Sequence, residues 1–338
     1  MSNTPTQPRA PQPSNQALTQ AADWFALLLS GEATAAERRR WENWLAASGE
    51  HRQAWSYVEK LSRRLEPIKA GPEPRLAAST YQQLSNQRRG RRQVLLSLAT
   101  LAGSGLLGWG TWHHTPLPTL AQAWTADHRT GTGEVREVTL ADGTRVWLNA
   151  ASAFDQDYGP DRRLLRLLRG EILIDTGNDP QQRPFYVETT QGRLRALGTR
   201  FALRLDDDAQ TTLAVYEGAV EVHTRTQANA VVQAGRQLRF TAGDVSGTVP
   251  ADPAREAWTR GVLIAQDIAL AEVVAELRRH HRGHLGLAPE VGHLRVFGSY
   301  PANDPEQALA MLETVMPIRV RRPLPWWISV EARDDATP

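Results

Sequence analysis

Three histidines come closest to a ligand set. His280, His281 and His284 share the end of one helical stretch. Their i, i+3 and i, i+4 spacings are ones that metal sites use, because side chains three and four residues apart sit together on a helix. No carboxylate completes the set at a matching position, and Arg278, Arg279 and Arg282 would repel a cation. The segment therefore reads as a solvated cationic helix end, which suits the negative pole of the helix dipole, and no metal is expected. Asp206-Asp207-Asp208 reads as a solvated hairpin turn and Asp334-Asp335 as tail. Gly131-Thr132-Gly133 does not open a helix after a strand with dinucleotide spacing, so no cofactor is expected there. No Ser/His/Asp set stands in a recognisable motif. The chain has no cysteine, which excludes thiol catalysis, cysteine-ligated zinc and disulfides. An anchored enzyme with a polar pocket in the strand-rich region is the catalytic alternative, and turnover of a substrate is not expected.

Residues suited to binding are better represented. Of the 11 tryptophans, Trp24, Trp41, Trp44 and Trp55 fall in one short N-terminal stretch. Tryptophan presents a large apolar area with few rotatable bonds, which is why it recurs at binding hot spots. The elements holding these rings are helical. Leu18, Ala21, Ala22, Phe25, Leu28 and Leu29 share one helical face, and Gly31 can end that helix. Thr34 and Glu37 have capping-box spacing and start a second helix carrying Trp41, Trp44 and Leu45. Ser48 can cap a third, with Ala54, Val58, Leu61 and Leu65 at helical intervals. A small all-α bundle is expected over 15–68, after a disordered start over 1–14 and before a linker and basic flank over 69–92.

Val94 to Trp112 is an uncharged run of roughly 19 residues, about 28 Å as a helix and close to the thickness of a bilayer core. Arg88, Arg89, Arg91 and Arg92 precede it, and Trp109 and Trp112 close it. That pattern predicts one transmembrane helix over 93–113, with the N-terminus cytoplasmic and the C-terminus periplasmic in a bacterial inner membrane. Arg91-Arg92 also resembles a twin-arginine signal, and Ala121-Gln122-Ala123 has the form of a signal-peptidase site.

Beyond Gly131 the pattern is one of short strands. Val135–Leu140, Arg145–Leu148, Leu164–Leu168, Glu171–Asp175, Phe185–Glu188, Phe201–Leu205, Thr212–Tyr216 and Val220–His223 predict an all-β domain over 114–256, as a barrel, a sandwich or a short solenoid. After Pro253 helical periodicity returns. Leu270, Val273, Val274 and Leu277 mark one helix, and Ala308, Met311, Leu312 and Val315 another. Strands at 285–287, 294–300, 318–321 and 327–331 complete an α+β module over 257–333.

A formal charge of +2 is too small to imply a polyanion partner. A membrane-tethered helix-turn-helix DNA binder is the alternative for the N-terminal helices. Arg38, Arg39, Arg40 and Arg52 could touch phosphate, but Asp23, Glu32, Glu37, Glu42 and Glu50 dilute them, and no recognition helix clusters base-reading side chains.

These residues together resemble the FecR family of iron-transport anti-sigma regulators. The resemblance rests on the segment from Ala22 through Trp41 and Trp44 to Trp55, and on an ordered set of short motifs. Those are Leu140-Ala141-Asp142-Gly143-Thr144, Leu148-Asn149, Gly170-Glu171, Arg183-Pro184-Phe185, Leu197-Gly198-Thr199-Arg200-Phe201 and Glu217-Gly218. The tail from Trp258 and Gly261 through Leu270 to Leu277 resembles the family's C-terminal subdomain, which is similar to the short N-terminal domain of secretins and TonB-dependent receptors. At Gly170-Glu171-Ile172-Leu173-Ile174 the chain departs from the Ala and aromatic residue more usual in the family. The resemblance implies an anti-sigma factor with several partners: an extracytoplasmic-function sigma factor, the periplasmic signalling domain of a TonB-dependent outer-membrane receptor, and periplasmic and intramembrane proteases. It implies control of iron or siderophore uptake genes and no direct contact with nucleic acid. Trp24, Trp41, Trp44 and Trp55 would meet the sigma factor, and Leu270, Val273, Val274 and Leu277 the receptor. Finally, it implies a candidate single-turnover self-cleavage at Gly198-Thr199.

Overall fold

The computed structural model describes residues 13–30, 33–69, 125–206 and 209–333. The described residues fall into two compact units. One joins the N-terminal helices to the chain from Ile264 onward, and the other lies within Glu73–Leu263.

In the first unit, α1 spans Asn15–Leu29, α2 Ala35–Ala47 and α3 Gly49–Lys69. Ser14 caps α1 by accepting from the Ala17 amide. The Thr34/Glu37 capping box on α2 is formed, and Ser48 Oγ accepts from His51 N at 3.0 Å at the start of α3. Ala17, Ala21 and Ala22 of α1 are buried with Ala54 and Val58 of α3. Small residues at i, i+4 spacing let the two helices approach closely.

The same unit holds β15 (Val262–Ala269), α4 (Leu270–His280), β16 (His284–Leu287), β17 (Arg295–Pro301), α5 (Pro305–Val315), β18 (Ile318–Leu324) and β19 (Trp327–Ala332). β16 runs parallel to β19, and β19 antiparallel to β18, while β15 pairs with β17. Asp304 caps α5, whose first residue is Pro305. Leu324, Trp326 and Trp327 join the alanine cluster of α1 and α3, so the helices and this module share one core. The buried hydroxyls of Thr19 and Ser329 meet at 3.2 Å, and Arg321 reaches Asp23 at 3.1 Å.

This overturns one part of the expected architecture. Among the described residues no helix is long and apolar enough to cross a membrane. The expected span over 93–113, its basic flank and both export-like signals lie outside the described residues. The physical reason for the correction is the shared core. A span at 93–113 would hold α1–α3 and the C-terminal module on opposite faces of a bilayer, where that core could not form. The single-pass, inner-membrane placement falls with the transmembrane helix.

The second unit is a sandwich of two seven-stranded sheets. One sheet contains β1 (His128–Arg129), β4 (Ala153–Tyr158), β5 (Arg163–Arg169), β7 (Phe185–Glu188), β8 (Gly192–Ala196), β11 (Ala219–Thr224) and β12 (Asn229–Gln233). The other contains β2 (Arg136–Thr139), β3 (Arg145–Leu148), β6 (Glu171–Asp175), β9 (Arg200–Leu205), β10 (Thr211–Glu217), β13 (Arg236–Phe240) and β14 (Val249–Pro250). The chain crosses between the sheets repeatedly, mostly after two strands. Inward-facing Leu148, Phe154, Leu165, Ile172, Phe185, Phe201, Leu213 and Val222 fill the space between them. A 3-10 turn at Pro253–Arg260 follows, and its Trp258 packs on Leu173 and Ala202.

Candidate cleavage corner and helical binding face

Most motifs singled out in the sequence are corners where the chain crosses between the sheets, and the Leu140–Thr144 motif is the β2–β3 hairpin turn. At each corner a polar side chain or a glycine makes a tight crossing possible. Asp142 lies in the β2–β3 turn, where its carboxylate accepts from Thr144 and from Arg163 Nη1 at 2.7 Å, with both charged side chains almost fully buried. Burial pushes the Asp142 carboxyl up, but the hydrogen bonds from Thr144 and Arg163 outweigh it and leave it below its ordinary value. Tyr158 donates to Asp142, and burial followed by that carboxylate raises its hydroxyl. Arg183 clasps Asp179 through Nε and Nη2, and these hydrogen bonds hold the Asp179 carboxyl far below the usual range. Asn149 donates to the Glu171 carboxylate at 3.0 Å, which ties Leu148-Asn149 to Gly170-Glu171.

Gly198 and Thr199 form the corner between β8 and β9. Gly198 is left-handed at φ 71°, and beside it Gly218, at φ 76°, forms the corner between β10 and β11. A Cβ on Gly218 would stand 2.4 Å from the Gly198 carbonyl oxygen and 2.8 Å from Thr199 Cγ2. The two glycines, read separately in the sequence, therefore belong to one site. Thr199 is buried at 4% exposure, and its Oγ1 has no hydrogen-bond partner. Its amide donates to Thr176 Oγ1 at 2.7 Å, and its carbonyl accepts from Thr176 N at 3.0 Å and from Thr176 Oγ1 at 3.1 Å. Thr176 is a residue that sequence reasoning did not single out. Nothing in the pattern marks it, because its partner is 23 residues away. A cleft of about 360 Å3 lined by Thr176, Gly177, Arg183, Arg195, Leu197 and Gly198 opens at this corner. Asp179, in the cleft lining, is held far below its usual range by Arg183, and Asp142 is lowered by Thr144 and Arg163, so neither is poised to exchange a proton near neutrality. What the corner offers is a buried hydroxyl next to a glycyl carbonyl.

In the helical unit, Trp24, Trp41, Trp44 and Trp55 are all half-buried, and α2 has no fully buried residue. Trp41 and Trp55 meet at 5.0 Å between ring centres, and Phe25 lies 5.7 Å from Trp55. Trp44 stacks on His51 at 4.4 Å and donates to Gln20 at 2.9 Å, while Trp41 Nε1 has no partner. Leu270, Val273, Val274 and Leu277 of α4 are fully buried in their own module. They hold the helix in place and present no surface.

His284 stacks on Trp327 at 3.7 Å, and Tyr57 Oη lies 3.5 Å from its Nδ1. Burial, with Arg278 and His281 adding, pushes its pKa down to about 4. His280 and His281 are lowered by burial too, so the trio is a set of neutral, packed rings and not the solvated cationic end expected from the sequence. Among the described residues no cluster of His, Asp or Glu could hold a metal ion.

Residues 126–221, which contain every corner described above, match the family described as FecR protein. The chain contains a FecR domain. Residues 19–61, from α1 into α3, match a second family, described as Domain of unknown function (DUF4880). Two crystal structures of a candidate anti-sigma factor from Parabacteroides distasonis ATCC 8503, at 1.65 Å and 2.50 Å resolution, share the fold. Each has a TM-score of 0.52 and 24% identity over 61% of the FecR-domain chain, covering 98% and 97% of the respective relative. No match is found among curated proteins.

Proposed function

We propose that this FecR-domain chain is an anti-sigma factor whose α1–α3 module holds an extracytoplasmic-function sigma factor. One observation carries the reading. The helices give Ala17, Ala21, Ala22, Ala54 and Val58 to the core they share with Leu324, Trp326 and Trp327, while their own four tryptophans stay partly exposed. A module that used its largest apolar side chains for stability would bury them and leave the alanines outside. Partly exposed tryptophans on the helices suit a surface that gains the rest of its burial from a partner. The solved structures of like fold, named as a candidate anti-sigma factor, agree with this reading.

The finer form follows the family resemblance. The signal arrives from the signalling domain of a TonB-dependent receptor, proteases relay it, and the regulated genes serve iron or siderophore uptake. The chain acts as a regulator, and its one chemical step is a single-turnover cleavage of the Gly198–Thr199 bond. The buried, unpartnered Thr199 hydroxyl beside a left-handed glycine supports that step.

Co-expression of the full chain with an extracytoplasmic-function sigma factor of the same organism tests the first part. The two co-purify, and Trp41→Ala with Trp44→Ala abolishes capture while helix content by circular dichroism is unchanged. Capture that survives both substitutions would remove the tryptophan face from the interaction. For the second part, a denaturing gel shows two fragments that Thr199→Ala reduces to one full-length band. A full-length band from the unsubstituted chain removes the cleavage reading.

A further inference from the structure

We infer that Thr176 is a catalytic residue of the Gly198–Thr199 corner, because its hydroxyl holds the departing nitrogen and supplies the proton that nitrogen needs in order to leave. This inference rests on the cleavage reading above and adds a residue to it.

The chemistry sets the requirement. Thr199 Oγ1 bonds to the Gly198 carbonyl carbon, the bond from that carbon to Thr199 N breaks, and the chain becomes an ester with a free amine. Water then splits the ester into a Gly198 carboxyl group and a free Thr199 hydroxyl at a new N-terminus. The attacking hydroxyl releases one proton and the departing nitrogen gains one, so no oxidant, reductant or further reactant is needed. The hard part is the departure. An amide nitrogen leaves a tetrahedral centre only as an amine, so a proton must reach it as its lone pair develops.

Thr176 is placed for that task. Its Oγ1 lies 2.7 Å from Thr199 N, the atom that leaves. In the resting chain that oxygen accepts the Thr199 amide hydrogen and turns its own hydrogen toward the Thr199 carbonyl at 3.1 Å. Thr176 N donates to the same carbonyl at 3.0 Å, which fixes the Thr176 backbone against the corner. As the nitrogen turns pyramidal, rotation about the Thr176 Cβ–Oγ bond carries the hydroxyl hydrogen from the carbonyl to the new lone pair. Thr199 Oγ1 gives its proton to water and water returns one to the Thr176 hydroxyl, so the protons balance without a titrating side chain. That is consistent with the buried carboxylates of Asp142 and Asp179 being arginine-bound. Gly177, the next residue, has its amide on Thr144 Oγ1 at 2.9 Å, so the Asp142 turn braces Thr176 from behind.

The full chain is translated in a cell-free system and sampled over time on a denaturing gel, with and without hydroxylamine, which cleaves esters and spares amides. The unsubstituted chain yields two fragments, the second beginning at Thr199 by mass spectrometry, and hydroxylamine speeds their appearance. Thr176→Val, which keeps the shape and loses the hydroxyl, slows the fragments about 100-fold, the lower end of what a positioned proton donor supplies. Hydroxylamine does not restore the rate, because no ester has formed. Thr176→Ser, which keeps the hydroxyl, stays within about threefold of the unsubstituted chain, against the 100-fold loss expected without a donor. Thr176→Val cleaving at the normal rate overturns the role. So does rescue of Thr176→Val by hydroxylamine, which would place Thr176 after the ester. If Thr176→Val does not fold, Thr176→Ser alone decides, and a loss as deep as that of Thr176→Ala overturns the role. Absence of fragments from the unsubstituted chain removes the cleavage reading itself and this role with it.

Discussion

Gly218 and Gly235 look alike along the chain, since each adopts a left-handed conformation at φ 76°. Their surroundings differ. A Cβ at Gly235 would meet nothing within 4 Å, whereas one at Gly218 would stand 2.4 Å from the Gly198 oxygen. Gly235→Ala therefore carries only the conformational cost of a left-handed alanine, about 1 kcal/mol. Gly218→Ala adds a steric collision with backbone that cannot swing away, and the total loss is about 3 kcal/mol or more. Urea unfolding midpoints of the two variants measure the difference. Equal losses would mean that the corners carrying Gly198 and Gly218 do not touch. Gly198 and Gly218 stand in separate motifs of the sequence, and the contact between them lies across two strands and leaves no trace in spacing.

At the scale of elements, corner motifs and strands were unequally legible. β3, β6 and β7 begin and end where apolar alternation put them, because hydrophobic side chains such as Val146, Ile172 and Phe185 fill the inward positions. β4, β8 and β13 were not anticipated. β8 reads Gly-Arg-Leu-Arg-Ala, with only Leu194 and Ala196 apolar and inward, and β4 carries Asp155 and Asp157 on its outer face. So short a strand with so few inward side chains gives a period-2 signal too weak to separate from loop. The corner motifs stand out in the sequence as an ordered set, but not as linked polar anchors. Arg163 is the plainest case, since it sits in a strand yet binds the Asp142 turn and donates from Nη2 to the Arg183 carbonyl at 2.9 Å. Its removal as Arg163→Met leaves the Asp142 carboxylate buried without its cation. A loss of about 3 kcal/mol is expected in urea unfolding, because an uncompensated buried charge costs more than the pair contributes. Adding Asp142→Asn to that variant recovers part of the loss. No recovery would mean that packing of the arginine stem, and not charge, is what the strand needs.

The whole molecule divides by its response to acid. The unit built from α1–α3 and the C-terminal module keeps His284 neutral, with its pKa lowered to about 4. In the unfolded chain the same ring titrates near 6.5. Between those values the unfolded state binds a proton that the folded state refuses, so the His284 contribution to the unit's stability rises with pH across about 4 to 6.5 and is level above. The groups facing the ring, Tyr57 of α3 with Arg278 and His281 beside it, supply no carboxylate to hold an imidazolium. The loss on going from pH 7.5 to pH 4 is up to about 3 kcal/mol for His284, and His280 and His281 act in the same direction. In the sandwich unit the resolved carboxylate shifts act in the same direction but in a lower pH window. Asp142 and Asp179 are lowered, so their contribution is complete above the ordinary carboxylate range and fades only as pH falls below it. Thermal unfolding of the full chain at pH 7.5 and pH 5 should then show one transition moving down while the other stays. His284→Phe keeps a ring on Trp327 and flattens the shift of the moving transition. Equal movement of both transitions, or a shift unchanged in His284→Phe, would place the acid sensitivity elsewhere in the chain.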